Sequence, residues 1–349
     1  MLSITIPDID RILEAYGAAP AISFEELQRY NYEDEDEGED TKHVRLILKA
    51  NLNDGSAVVV RLKNESDVTL EMIEQQCRFA NLLYENGIPT PRQYSSNGSF
   101  ANLYTVNGYE LIVCVEDFAE GGITEVNAET AEKTGALLAR THNIAERFNA
   151  HVEADVLFDP FKLNDLFTVP EFDKVIPQED SELREVSQKI MSLYNEYMEK
   201  LSPLKAEPSY AVQGDISDCN LYRTKDGGIG MYDFNNSGDC NLFCDAFMQA
   251  IFEARLMTYS EECRQNSEQI ILPAFLKGYD SQRPFSALQK RLMPYLYAII
   301  DAFWAEYTYT LWWEDYLKGE EARSQDPAQM KNCIYGILER ISALKPCIF

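Results

Sequence analysis

QGDISDCNLYRTKDGGIGMYDFNNSGDCNLFCD, residues 213 to 245, is the stretch whose reading decides the fold. It offers Asp215, then Asn220 at the fifth position after it, then a short hairpin, then Asp233 followed by Phe234. Tyr210 to Gln213 read as a short approaching strand. Leu221 to Arg223 and Ile229 to Tyr232 read as strands paired across Asp226-Gly227-Gly228. That hairpin brings Asn220 and Asp233 to adjacent strand ends, where both side-chain oxygens can reach one hard cation. A phosphoryl-transfer site needs one carboxylate to hold the acceptor hydroxyl, plus an amide and a second carboxylate to ligate the magnesium that bridges the phosphates.

The same spacing matches the protein-kinase pattern of a catalytic-loop Asp and Asn followed by an Asp-Phe pair. From Asp245 onward the chain reads as helical. It has no Ala-Pro-Glu equivalent and no long loop between Asp233 and Asp245 to carry a phosphorylation site. A polypeptide acceptor is therefore disfavoured.

Upstream, the chain supplies the parts such a site requires. Met1 to Gly17 read as an amphipathic helix with Ile9, Ile12, Leu13 and Tyr16 on one face. Val44 to Leu48 and Ala57 to Leu62 read as an antiparallel hairpin about Asn53-Asp54-Gly55. The second strand follows its valines with Arg61 and, two residues on along the same face, Lys63. Arg61 is the first candidate for a phosphate-contacting cation and Lys63 the second, against the alternative that both decorate an exposed face. A helix from about Val68 to Asn86 carries Ile73, Cys77, Ala80 and Tyr84 as its inward stripe; of its carboxylates, Glu74 lies beside that stripe and is the expected ion-pair partner of the strand cation. Glu110 to Val115 read as a strand, and Glu116-Asp117-Phe118-Ala119-Glu120-Gly121-Gly122 then breaks the pattern. An interlobe hinge is expected at about 115–122, where main-chain groups would meet a base edge. It divides the chain into a nucleotide-binding lobe, 1–116, and a catalytic and substrate-binding lobe, 117–349.

A helix capped by Asn127 points His142 inward, where a hydrogen-bonded core histidine is the expectation rather than a catalyst. Leu292 to Trp313 is dense in aromatics, a core stripe at helical spacing. Asp301, Glu306, Glu314 and Asp315 interleave with it in a manner that would also suit an amine-bearing ligand.

Composition limits the partners. In 349 residues, 31 Lys and Arg stand against 58 Asp and Glu, a net charge of −27. A surface of that sign repels phosphate backbones and anionic lipid, so nucleic-acid and membrane binding are disfavoured and a cationic small molecule is favoured. No apolar run reaches the ~20 residues of a membrane span. The amino-terminal segment lacks the form of a secretory signal, and eight cysteines without a Cys-x-x-Cys pair suit reduced thiols in a cytoplasmic setting.

These residues resemble the aminoglycoside phosphotransferase and choline kinase family, which includes homoserine kinase-like members. The family's His-Gly-Asp-x-x-x-x-Asn is similar to Gln213-Gly214-Asp215-Ile216-Ser217-Asp218-Cys219-Asn220, and its metal-binding Asp-Phe to Asp233-Phe234. Gly135 to His142, Ile88-Pro89-Thr90-Pro91 and Phe275 to Tyr279 carry further likeness. The resemblance implies an α+β, protein-kinase-like bilobal fold, with a small antiparallel-sheet lobe bearing one helix and a larger, mainly helical lobe. It also implies transfer of the γ-phosphoryl group of ATP or GTP, with Mg2+, to a hydroxyl of a small molecule. Asp215 would be the catalytic base, Asn220 and Asp233 the metal ligands, and Arg61 the phosphate contact. Two departures point instead to a catalytically silent, kinase-like binding or regulatory protein. Gln213 replaces the family's His. Glu33 to Asp40, where a nucleotide-covering turn is expected, is acidic at every position except Gly38.

Overall fold

The computed structural model describes residues 2–32, 43–66, 68–162, 180–216, 218–304 and 327–345. The acidic stretch Glu33 to Asp40 and the second half of the aromatic segment, with Glu306, Trp312, Trp313, Glu314 and Asp315, lie outside the described residues.

The amino-terminal part is a five-stranded antiparallel sheet in the order β1-β2-β3-β5-β4. Its strands are β1 (Ala21–Tyr32), β2 (His43–Leu52), β3 (Ala57–Asn64), β4 (Ala101–Val106) and β5 (Tyr109–Asp117). Side chains alternate between its two faces. Leu46, Leu48, Val58, Val60, Leu62, Leu111, Val113 and Val115 face helix α1 (Ile6–Ala15), whose Ile9, Ile12 and Leu13 complete that core as the amphipathic pattern of the segment predicts. The opposite face carries Arg61, Lys63, Ile112, Cys114 and Glu116. Helix α2 (Leu70–Glu85) packs there through Ile73 and Cys77. Thr69 caps α2 by accepting from the Met72 amide at 3.1 Å. Farther along α2, Phe79, Ala80 and Leu83 join the larger core, so this one helix touches both hydrophobic centres.

β1 and β4 carry no apolar run in the sequence, and both are edge strands. One side of an edge is solvated, which removes the apolar signal that marks the central β3 and β5.

The remainder is mainly helical: α3 (Ala128–Phe148), α4 (Ser181–Leu201), α5 (Leu242–Leu256), α6 (Ser267–Gln282), α7 (Ala287–Trp304) and α8 (Pro327–Ser342). Two small antiparallel pairs interrupt it, β6 (Ser209–Val212) with β9 (Gly238–Asn241), and β7 (Leu221–Arg223) with β8 (Ile229–Met231). α3 begins at the Asn127 cap, whose Oδ1 accepts the Thr130 amide at 2.9 Å. It lies against α6 at backbone contact: a Cβ on Gly135 would sit 2.0 Å from the Phe275 carbonyl oxygen, and one on Gly278 would sit 1.9 Å from that of Glu132. Glycine at both positions is what allows the two axes to approach. α5 is buried all round and forms the centre of this part. Among the described residues no helix is long and apolar enough to cross a membrane.

Candidate active site

β6 delivers the chain to a turn at Gly214, whose φ of +82° suits glycine; a Cβ there would lie 2.3 Å from the Asn236 carbonyl oxygen. The turn places the Asp215 loop directly on the loop that follows β8. Asp215 Oδ2 accepts from Asn236 Nδ2 at 3.0 Å and from Asn220 Nδ2 at 3.2 Å. Asn220 Nδ2 also donates to the Asp215 carbonyl at 2.9 Å. The amide group of Asn220 is thereby fixed, with its nitrogen used on Asp215 and its Oδ1 accepting from the Cys219 thiol at 3.7 Å. Asp233, at the end of β8, has φ +59°, a left-handed conformation that Asp and Asn tolerate better than most residues. Burial raises the pKa of Asp215, and the nearby Asp233 carboxylate adds to the rise against the hydrogen bonds from Asn236 and Asn220. For Asp233, burial alone would also raise the pKa, but the positive charges of Arg61 and Lys63 outweigh it and hold the carboxyl below its usual value.

Gln213 is fully buried beneath these two loops. Its Nε2 donates to the Asp233 carbonyl at 2.7 Å and its Oε1 accepts the Asp215 amide at 2.9 Å. The replacement of histidine therefore does not remove the hydrogen bonding beneath the loop: glutamine carries both a donor and an acceptor, and both are used.

Arg61 and Lys63 are both buried, Lys63 with 3% of its surface exposed, so neither decorates an exposed face. Arg61 Nε and Nη2 each lie 2.9 Å from Glu116 Oε1, and Gln93 Nε2 donates to Glu116 Oε2 at 2.8 Å. Arg61 Nη1 approaches Asp233 Oδ2 at 3.4 Å and has no hydrogen-bond partner within the protein. Lys63 Nζ donates to Asn235 Oδ1, and burial lowers its pKa, with the Arg61 charge adding to the effect.

Glu74 is not the partner of the strand cation. Its Oε2 accepts the amides of Phe100 and Ala101, each at 2.7 Å, and it pairs with Arg78 one turn on. At its place on α2 the carboxylate meets the start of β4, whose edge amides need an acceptor. The residue of α2 that reaches the site is Gln76, whose Nε2 donates to the carbonyls of Asn235 at 2.8 Å and Ser237 at 3.2 Å. Phe79 packs edge to face on Phe234 at 5.9 Å.

Gln76 and Glu116 carried signals in the sequence. Gln76 is a polar residue spaced three after Ile73 and four before Ala80 on the inward stripe. Glu116 follows Ile112 and Cys114 in the period-two alternation of β5, and Cys114 is the register partner of Arg61.

A cavity of about 690 Å³ opens in front of these groups. Leu27, Ile47 and Val59 form its roof, residues 116–122 its back, and Asn220, Tyr232 and Asp233 its floor; Arg61 lines it as well. Among the described residues no cluster of three His, Cys, Asp or Glu side chains could hold a metal alone. The pair Asn220 and Asp233 nevertheless fits magnesium, which takes one or two protein oxygens and completes its octahedron with phosphate and water.

His142 is a core residue, as expected: Nδ1 meets the Tyr279 hydroxyl at 2.8 Å, Nε2 meets Asp245 Oδ2 at 3.0 Å, and burial lowers its pKa. Asp301 is engaged rather than free for an amine, with Oδ1 2.7 Å from Arg255 Nη2 and Oδ2 3.3 Å from Lys345 Nζ.

Sheet order, helix α2 across the sheet and the loop pair below the cleft together define the protein-kinase-like fold found in small-molecule phosphotransferases. Solved structures share it over nearly the whole chain. An amicoumacin kinase, solved with AMP-PNP, Ca2+ and Ami, aligns with a TM-score of 0.60 at 14% identity, covering 95% of this chain and 93% of that one. A microcompartment-associated aminopropanol kinase aligns at 0.58 and 12% identity, covering 97% and 96%. An aminoglycoside phosphotransferase from Alicyclobacillus acidocaldarius aligns at 0.52 and 11%, covering 91% and 90%. No family model and no curated protein matches the sequence.

Proposed function

We propose that this chain is a magnesium-dependent phosphotransferase that moves the γ-phosphoryl group of ATP or GTP to a hydroxyl of an amine-bearing small molecule. The observation that carries the reading is the convergence of Asn220 and Asp233 at the floor of a cleft walled by Arg61, with the Asp215 carboxylate hydrogen-bonded to Asn220 at 3.2 Å. Residues 1–116 act as the nucleotide lobe, 117–349 as the catalytic and acceptor lobe, and 115–122 as the hinge that meets the base. Asp215 holds the acceptor hydroxyl and takes its proton as the new O–P bond forms and the bond to the leaving diphosphate oxygen breaks. Its raised pKa places it closer to the basicity that such a transfer needs. Asn220 and Asp233 would hold the magnesium, which neutralises charge on the phosphates. Arg61 offers to a phosphate oxygen its Nη1, which lies 3.4 Å from Asp233 and has no hydrogen-bond partner. The net charge of −27 and the fold shared with an aminopropanol kinase support an amine on the acceptor, be it an aminoglycoside, choline or ethanolamine, or a homoserine-like amino alcohol.

The test is nucleotide turnover with Mg-ATP and with Mg-GTP against a panel of these amines. Acceptor-dependent release of the nucleoside diphosphate, lost in Asp215→Asn, is expected. Absence of a thermal shift with either nucleotide, together with activity indifferent to Asp215→Asn, would end this reading.

A further inference from the structure

We infer that Glu116, braced by Gln93, is the positioning residue that aims the Arg61 guanidinium at the nucleotide phosphates, in place of a carboxylate on helix α2; the inference rests on the phosphotransferase reading above. The geometry of one guanidinium carries it. Arg61 lies between two carboxylates, 2.9 Å from Glu116 through two of its nitrogens and 3.4 Å from Asp233 through the third. Glu116 wins this competition because its contact is two-pronged and because Gln93 fixes its second oxygen at 2.8 Å. Glu116 and Gln93 are both more than nine-tenths buried, so the brace is not a solvated surface pair. The result is a guanidinium whose remaining nitrogen, Nη1, is buried, without a hydrogen-bond partner, and at the wall of the cleft. A donor left in that condition costs free energy unless an acceptor arrives, and an anionic oxygen in the cleft is that acceptor.

Glu116 also protects the metal ligand. Without its charge, the guanidinium would turn its planar fork onto the Asp233 carboxylate, already 3.4 Å away, and neutralise the group that would ligate magnesium. Because Glu116 sits on β5, in the same sheet as Arg61 on β3, the cation keeps its aim whatever the position of α2. Helix α2 contributes to the loop carbonyls through Gln76 and to β4 through Glu74, and makes no ion pair with the cation.

The experiment is a double-mutant cycle on nucleotide affinity, using full-length protein, Mg-ATP and Mg-GTP, and titration calorimetry with thermal unfolding in parallel. Glu116→Gln is expected to weaken nucleotide binding about tenfold, with KM rising and kcat falling less, as loss of one charge-assisted contact would do. In an Arg61→Ala background the same Glu116→Gln change is expected to alter affinity by less than about twofold, since both act through one guanidinium. Gln93→Leu, which leaves the ion pair in place, is expected to produce a smaller loss in the same direction and serves if Glu116→Gln does not fold. Additive losses from Glu116→Gln and Arg61→Ala, or unchanged affinity in both Glu116→Gln and Gln93→Leu, would overturn the inference while leaving the phosphotransferase intact. A wild-type protein that binds neither nucleotide would overturn both.

Discussion

Gln213 Nε2 donates to the Asp233 carbonyl at 2.7 Å, tying the loop that bears the proposed base to the loop that bears the proposed metal ligand. The same side chain accepts the Asp215 amide through Oε1. Gln213→Leu would leave a buried carbonyl and a buried amide without these partners, a cost on the order of 3 kcal/mol. Gln213→Glu keeps the acceptor but sets a carboxylate against the Asp233 carbonyl, and should also destabilise. Thermal unfolding and turnover measured together check this, and a Gln213→Leu protein with wild-type melting temperature and kcat would remove Gln213 from any role in the site.

Asp215→Asn and Asp233→Asn should shift stability in opposite directions at pH 7. The pKa of Asp215 is raised above its ordinary 3.8. The native state thus holds its proton more tightly than the unfolded chain does, and stability is lost as pH rises from 3.8 through the native value. Neutralising Asp215 removes that loss, so Asp215→Asn should melt higher at pH 7, with the gain fading below pH 3.8, while kcat falls about 100-fold or more. Asp233 is the reverse case: its pKa is lowered, and its stabilisation is present above 3.8 and lost as pH falls through the native value. Asp233→Asn keeps a residue tolerant of φ +59° but leaves Arg61 and Lys63 short of a negative charge, and should melt lower at pH 7 and lose turnover. Melting curves from pH 3 to 8 decide the signs, and two shifts of the same sign at pH 7 would contradict the electrostatics described for this pair.

The order of Asp215, Asn220, hairpin and Asp233 was legible because it is local: a hairpin of eleven residues fixes which ends meet. The β3 and β5 cores were legible because central strands are buried on both faces. The choice of Glu74 failed because helical periodicity names a face, and Glu74 lies at the margin of that face, where β4 approaches. No apolar pattern marks β4, so nothing in the sequence showed that an edge strand would claim the carboxylate. Glu116 was read only as the start of a chain break, yet its place two residues beyond Cys114 puts it beside Arg61 once β3 and β5 are paired. Cross-strand register is a tertiary fact that spacing along one strand cannot supply.

The contact of α3 with α6 makes a separable prediction about stability. Gly278→Ala places a methyl 1.9 Å from the Glu132 carbonyl oxygen, and Gly135→Ala places one 2.0 Å from that of Phe275. Backbone cannot yield as a side-chain tip can, so the helices must part, at a cost of about 2 kcal/mol or more. Each variant should melt several degrees lower while KM for nucleotide, measured well below the melting temperature, stays within about twofold of wild type. A wild-type melting temperature in both would mean that the two helices are not in backbone contact in solution.

Helix α2 offers a direct comparison between its two polar anchors. Glu74 holds the amides of Phe100 and Ala101 at the start of β4, whereas Gln76 holds the carbonyls of Asn235 and Ser237, of which Asn235 also accepts from Lys63. Glu74→Ala leaves two amides without their carboxylate at a partly solvated edge, and should cost about 1 to 3 kcal/mol of stability with kcat and KM within about twofold. Gln76→Leu conserves approximate volume but frees the loop that carries Asp233, so magnesium should bind less tightly and kcat should fall by about tenfold with a smaller change in stability. Titrating kcat against Mg2+ at fixed nucleotide, beside thermal unfolding, separates the two anchors. If Glu74→Ala rather than Gln76→Leu raised the magnesium requirement, the carboxylate of α2 would be coupled to the site after all, and the division of labour between α2 and β5 would have to be redrawn.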